Sequence, residues 1–393
     1  MFGFLAYLPS IVYMPHFLIM LLFGYLVITN PKYSFNSVNN FIGNPNIKVT
    51  SNNFIVFFIV FASLVNMVFH REKFSQLSDF FPYFILLPVT YYIASVVKPK
   101  QWIWLLYFFA FECLIGAFQF ITETPTFFPE FFRAPENYDS SLLYYRRAYG
   151  LSVSSSTFAN KVFLGLLLID FILPKGKLKN TLLAIFLVGI FVTFNRTVLL
   201  AVGFYYGFKF IYNSIEVRFK PSLFYLRFIF VLLVLIGGTF IVFSYSDAII
   251  SQFTRDKGEL DISGRDHIWA YYLNFISKNI FFGNGGFKYY FINGLHAHNS
   301  FIQVVANNGI IISIFYFLLI IKNINRSNLI PVAALLVYST AQYGVFWGIS
   351  LMDIILFYFL TRSPGLEDDF PYERENRNWF VKLINPQLFS AKH

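Results

Sequence analysis

The stretch TLLAIFLVGIFVTFNRTVLLAVGFYYGFKFIYN, residues 181–213, is apolar except at Asn195-Arg196-Thr197 and Lys209. As one helix it would run about 50 Å, whereas the hydrocarbon core of a bilayer is about 30 Å thick. The run therefore reads as two spans joined by a turn at Asn195–Thr197. Each half is short, which places that turn below the outer surface. An arginine held there costs on the order of 3 kcal/mol unless it meets an anion or water. The plainer alternative is an arginine that snorkels to lipid headgroups.

The same reading extends outward over most of the chain. Apolar runs suited to spans lie near 2–29, 53–70, 80–97, 102–121, 158–173, 181–195, 198–213, 223–247, 299–321, 329–345 and 347–361. The first contains Pro9 and Pro15 and fits one kinked span or a short hairpin, so the count is about 11–12. Of the 393 residues, 57% are hydrophobic and 13% charged, about half the charged share of a soluble domain. The 54 Phe and 26 Tyr add more apolar surface than a soluble core hides. The expected fold is an all-α polytopic membrane protein. The net charge of +10 comes from Lys and Arg scattered over short loops, which points to topology and away from nucleic acid as a partner. A single cysteine, Cys113, excludes an intramolecular disulfide framework and a multi-cysteine metal site. The opening MFGFLAYLPS lacks a basic n-region and a small-residue cleavage site, so the first run is expected to stay in the mature protein. No internal repeat of the kind seen in many secondary transporters is visible.

Basic short loops set the orientation. Lys98 and Lys100, Lys175 to Lys179, Arg218 and Lys220, and Lys322 and Arg326 mark one side, which the positive-inside rule makes cytoplasmic. Two long loops, about 122–157 and about 248–298, then face the opposite side, and alternation puts Arg71 and Lys73 there too. Residues 1–361 form a single transmembrane domain, and 362–393 form a cytoplasmic tail. Polar chemistry collects in the two long loops, whereas carriers keep such loops short and place polar groups at mid-membrane. This points to a site at the membrane surface.

Within the second loop, Ser263-Gly-Arg-Asp266 reads as a helix start with capping-box-like spacing. Ile268, Trp269, Tyr272, Leu273 and Ile276 then share a stripe, and Gly283-Asn-Gly-Gly286 ends the segment. The helix either anchors the loop alone or also presents Arg265 from its first turn. His298 and Asn299 open the ninth span, and Asn299, Gln303 and Asn307 make two turns of one face polar. Such amides look into the protein or a cavity rather than into lipid. His298 reads as an interfacial residue or as the crown of a functional polar stripe. Arg146 and Arg147 precede the fifth span, where solvated loop charge is the plain reading. Glu112, mid-span, is a functional suspect or a structural partner for an arginine or hydroxyl. Asp170 and Asp353, near span ends, read as structural.

The ordered series Arg147-Ala-Tyr-Gly150, Thr193-Phe-Asn-Arg-Thr197, Gly264-Arg-Asp-His-Ile-Trp269, Gly283-Asn-Gly285 and His298-Asn299 resembles the O-antigen polymerase (Wzy) and O-antigen ligase (WaaL) family. His298, Asn299 and Gly309 match its His-Asn, nine residues, Gly motif, while Ile312 stands where ligases usually carry Gly, Thr or Tyr. The similarity covers roughly residues 140–320.

The resemblance implies a GT-C-like bundle in the bacterial inner membrane with its active site facing the periplasm. It implies transfer of a glycan from undecaprenyl diphosphate to an acceptor hydroxyl, with the lipid-linked oligosaccharide, the bilayer and a chain-length regulator protein as partners. No cofactor is implied. Arg147, Arg196 and Arg265 are the candidate diphosphate ligands, because a guanidinium fork pairs bidentately with phosphate and stays charged. His298 is the candidate general base, since imidazole titrates near neutral pH, with His296 as its competitor. Asn299, Gln303 and Glu112 are secondary candidates on the acceptor side. The metal-dependent branch of lipid-linked transferases uses acidic residues in an early outer loop, but residues 30–52 hold no Asp or Glu, and Glu367-Asp-Asp369 falls in the tail. No metal is expected. Polymerase is the leading reading, ligase the first rival, and a polysaccharide flippase or other transporter the rival from another class.

Overall fold

The computed structural model describes residues 1–8, 15–30, 51–76, 83–124, 126–127, 147–216, 225, 229, 265–342, 344–346 and 350–362. Among them the chain is helical, with no strand beyond one bridge between Phe291 and Leu295. The helices are α1 (Phe2–Tyr7), α2 (Pro15–Thr29), α3 (Ser51–Phe69), α4 (Tyr83–Val96), α5 (Pro99–Ile121), α6 (Ser155–Ile172), α7 (Lys177–Thr193), α8 (Arg196–Glu216), α9 (Arg265–Lys278), α10 (Ser300–Asn323), α11 (Leu329–Ser339) and α12 (Leu351–Thr361). All of the expected span 223–247 but Tyr225 and Ile229, residues 125 and 128–146 of the first long loop, 248–264 of the second, and the tail from 363 lie outside the described residues.

The chain is an all-α polytopic membrane protein. Asn52–Phe69, Pro99–Ile121, Ser155–Ile172 and Ser300–Asn323 are each long and apolar enough to cross a bilayer, and shorter apolar helices stand beside them. The first apolar run is two helices, with α1 packed on α5 and α2 on α4. The last two runs are also shorter than expected. Beyond α11 the chain leaves the helix at Thr340, and Phe346 sits at φ 67° with its N–H donated to Asp353 Oδ1 at 2.8 Å. Ser350 then caps α12 by accepting from Asp353 N at 3.0 Å. The core is centred on α6, which packs on α5, α7, α8 and α12 and buries Phe158, Phe163, Leu166 and Ile169. By contrast α3 shows Phe54, Phe57 and Phe61 to its surroundings, as a lipid-facing helix does.

Helix directions define two ends. Antiparallel α3 and α10 pair Asn52 with Asn323, Phe58 with Phe315, and Asn66 with Asn308 O. The starts of α6, α8 and α10 and the ends of α5, α7 and α11 therefore share one end. The 3₁₀ turn Arg71–Gln76 belongs there, because Lys73 Nζ donates to Asn284 Oδ1 at 2.6 Å. At the opposite end Asp170 meets Lys179 and Lys209, and Asn328 Nδ2 donates to Phe359 O at 2.9 Å.

One break shapes the site end. Gly309 sits inside α10 at φ 80°, ψ 172°, so the helix loses its register there. The turn after α9 fills the gap, with Ile310 N donating to Ile280 O at 2.8 Å and Asn284 N to Ala306 O at 2.8 Å. Gly286 N donates to Asn307 O at 2.8 Å, and Asn66 Nδ2 to Phe282 O at 2.9 Å. Carbonyls and amides freed by the break are thus re-satisfied from the inserted turn, which irregular backbone at membrane depth requires. A side chain at Gly309 would overlap Phe281 O.

Candidate functional site

Arg147 enters the described chain on an extended segment that runs into a turn at Gly150. The segment is pinned from both sides. Ala148 N donates to Val192 O at 2.9 Å in the last turn of α7. On the other side Gly150 N donates to Gln119 Oε1, and Gln119 Nε2 to Gly150 O, both at 2.8 Å. Glu112 Oε1 accepts from Leu151 N at 3.0 Å and from Ser152 Oγ at 2.9 Å. Arg147 itself is half-buried.

That turn falls where the sequence placed it. α7 ends at Phe194 in the left-handed region, φ 45°, and Asn195 Oδ1 caps α8 by accepting from Val198 N at 3.1 Å. Asn195 Nδ2 reaches Ser156 Oγ at 3.3 Å, so the starts of α6 and α8 are tied together. Arg196 is the first residue of α8 and is half-buried. A helix N-terminus and two guanidinium groups are therefore carried on segments joined by the Ala148–Val192 bond, and all three favour an anion.

The second group is built on α9 and the start of α10. Ile268 and Tyr272 are buried, Trp269 Nε1 donates to Ala297 O at 2.7 Å, and Tyr272 OH donates to Tyr289 O at 2.6 Å. The helix is seated on this face alone. Leu273, expected on the stripe, is 54% exposed, because the turn that buries Ile268 and Tyr272 carries position 273 outward. Arg265, at the first turn, lies within electrostatic reach of His298 and of Tyr338 on α11.

His298 occupies the left-handed region at φ 49°, directly before Asn299. Such backbone is uncommon for a residue with a side chain and is held only where the surroundings fix it. Asn299 fixes it from one side, with Oδ1 accepting from Phe301 N at 2.9 Å and Nδ2 donating to Thr340 O at 2.8 Å. Ser300 Oγ adds a bond to Gln342 O at 3.0 Å. The His296 and His298 rings stand 4.6 Å apart. Burial, then the Arg265 charge, lower the His298 pKa from its ordinary value, against a raising hydrogen bond from the Gln342 side chain. Burial, then His298 and Lys288, push His296 down to about 4. Both rings are neutral at neutral pH, and a neutral imidazole is one that accepts a proton. The protonation step expected near the ordinary histidine range thus moves below it.

The secondary candidates have defined places. Gln303 Oε1 accepts from Ala297 N at 2.8 Å, and its Nε2 donates to Tyr289 O at 2.8 Å and Asn307 Oδ1 at 2.9 Å. Asn307 Oδ1 also accepts from Tyr289 N at 2.9 Å. The polar face of α10 thus holds the loop that carries the histidines, and Asn299 caps the helix. Glu112 pairs with Lys161 at 2.7 Å, and neither reaches the histidine group through a described contact. Sequence reasoning passed over Gln342, Tyr338, Gln119 and Lys161. Only Lys161 gave a signal, a charge inside an apolar span that calls for a partner. Among the described residues no group of three or more His, Cys, Asp or Glu is placed to hold a metal ion.

This is a membrane-embedded helical bundle with three arginines and two neutral histidines at one end. Residues 181–317 match the family model Wzy_C, described as O-antigen ligase, a segment that runs from α7 into α10 and holds Arg196, Arg265, His296 and His298. The match supports the Wzy/WaaL family, whose members are glycosyltransferase-like enzymes. No curated protein matches the chain.

Proposed function

We propose that this chain polymerises a bacterial surface polysaccharide at the outer face of the inner membrane. It transfers a growing glycan from undecaprenyl diphosphate to a hydroxyl of a second lipid-linked repeat unit. The observation that carries this reading is the group of Arg265, His298 and Gln342, in which a half-buried histidine, held in the left-handed region, lies within reach of a cation and of the Gln342 side chain at the end of the bundle.

The chemistry balances on these residues. The bond between the sugar's anomeric carbon and the diphosphate oxygen breaks, and a bond from the acceptor oxygen to that carbon forms. The acceptor's proton passes to His298, and the electron pair leaves with the diphosphate. Negative charge developing there is met by the guanidinium forks of Arg147, Arg196 and Arg265. A low pKa suits His298 as a base only while acceptor and leaving group are well aligned, because a weaker base pulls less on the proton.

Purified full-length protein given lipid-linked repeat units tests the reading. Growth of a polymer ladder is expected. Transfer to lipid A-core instead would make the chain a ligase, the activity after which the matching family is described. Absence of either product, with the lipid substrate moved across vesicle membranes, would make it a transporter.

A further inference from the structure

Glu112 and Lys161 form a fully buried ion pair between α5 and α6, with Nζ 2.7 Å from Oε1. Such a pair is weak evidence for stability, since removing two charges from water offsets most of their attraction. The other partners of the carboxylate matter more. Tyr7 OH donates to Oε2 at 2.8 Å, while Ser152 Oγ and Leu151 N donate to Oε1 at 2.9 and 3.0 Å. Gln119, two turns further along the same helix, closes a paired hydrogen bond on Gly150 at 2.8 Å in each direction.

Three successive residues, Gly150 to Ser152, are thus held by two side chains of α5. Gly150 permits this approach, since it adopts φ +60° and a Cβ there would stand 2.8 Å from Glu112 Cγ. On the far side Ala148 N donates to Val192 O, so the backbone that carries Arg147 is tied to the last turn of α7, just before the turn from which Arg196 starts. Non-helical backbone buried within the bundle needs its polar groups answered from within the protein. Here the answer also sets where one guanidinium stands.

We propose that Gln119, with Glu112 and Lys161 behind it, is a positioning residue that holds Arg147 in the geometry needed to grip a lipid diphosphate. The proposal rests on the reading of Arg147 as a diphosphate ligand given above. Gln119 touches no substrate and acts through the loop. Its removal should therefore be felt in diphosphate affinity and only through Arg147.

The test is a mutant cycle on the full chain in detergent micelles, with undecaprenyl diphosphate as the probe and its dissociation constant as the readout. Gln119→Leu keeps the volume and removes both bonds to Gly150. It is expected to weaken binding about tenfold, the worth of a lost charge-assisted contact. In an Arg147→Lys background the same change should add less than about twofold, and in an Arg265→Lys background its full effect, since coupled sites are non-additive and separate ones add. The ligand-free thermal midpoint separates affinity from folding. Should Gln119→Leu fold poorly, Ser152→Ala removes one hydroxyl from Glu112 and enters the same cycle with about threefold expected. Equal effects in both arginine backgrounds, or unchanged affinity, would overturn the positioning role. Wild-type protein that does not bind undecaprenyl diphosphate at all would instead overturn the functional reading beneath it.

Discussion

Among the described residues, Glu112 and Asp170 are carboxylates paired with lysines inside the bundle, and their surroundings differ in kind. Asp170, near the end of α6, accepts from Tyr205 OH at 2.5 Å and pairs with Lys179 at 2.6 Å and with Lys209. Every one of those partners stands on a helix, and Lys179 also donates to Asp170 O and Leu173 O at 3.1 Å, satisfying carbonyls left open where α6 ends. Glu112, near the other end, divides its partners between helices and the loop that carries Arg147. A charge inside a span is therefore no sign of chemistry in itself. The partner decides: Asp170 fastens helix to helix, and Glu112 fastens helix to a motif. The difference teaches that the two ends of the bundle have separate roles, one joining helices and the other arranging groups for a ligand.

The sharpest way to break that division is His298→Ala. Loss of a general base removes about 10²–10⁴ of the rate, enough to erase a ladder on a gel, while undecaprenyl diphosphate binding through the arginines survives. His296→Ala should be milder, since His298 directly precedes the Asn299 cap of α10 and meets the Gln342 side chain. The wild-type pH profile gives a second reading. With its pKa lowered by burial and Arg265, against the Gln342 hydrogen bond, His298 gives up its proton at a lower pH than an ordinary imidazole. Activity should then hold as pH falls to about 6.5 and decline only below it. A decline centred at or above 6.5 would mean that the ring is wetter and less tightly held than this geometry has it.

Next in size come Arg196→Lys and Arg265→Lys. Both keep the charge and lose the planar fork, so about 10- to 100-fold losses are expected, matching one charge-assisted hydrogen bond of about 1.5–3 kcal/mol. Full activity in both lysine variants would reduce the arginines to a general positive field and leave the site end no more specific than the opposite one.

Much of this was legible in the sequence, because the bilayer imposes a length on every span and a penalty on every charge within it. The break at Asn195 and Arg196 and the polar face of α10 follow from those two rules, and the helix starting near Arg265 follows from its cap spacing and apolar stripe. What stayed hidden depends on contacts between distant segments. Gly309 looks like any glycine in an apolar helix, and only the turn from Ile280 to Gly286 entering its gap shows why it is there. Gln119 reads as one polar residue near a span end until Gly150 closes on it from 31 residues away. Gln342 stands in an apolar run that looked continuous to 345, and its place beside His298 appears only once α11 is seen to stop at Ser339. Leu273 shows the converse fault, an apolar residue counted into a stripe wider than the face that is buried.

The smallest expected effect is Lys209→Met at the opposite end. Lys209 is one of two lysines on Asp170, and its side chain is 33% exposed, so solvent already screens part of the pair. Tyr205 and Lys179 remain to answer the carboxylate after the substitution, and the methionine stem fills the same apolar path along α8. Stability should fall by no more than about 1 kcal/mol, read as a small shift of the thermal midpoint. Ladder formation and undecaprenyl diphosphate affinity should stay within about twofold of wild type, because additivity holds for sites this far along the helix from Arg196. A large loss of affinity without a loss of stability would show that the Asp170 cluster sets the tilt of α8 and, through it, the position of Arg196. The two ends would then be one coupled device, and the contrast between the two carboxylates would be a difference of distance and not of role.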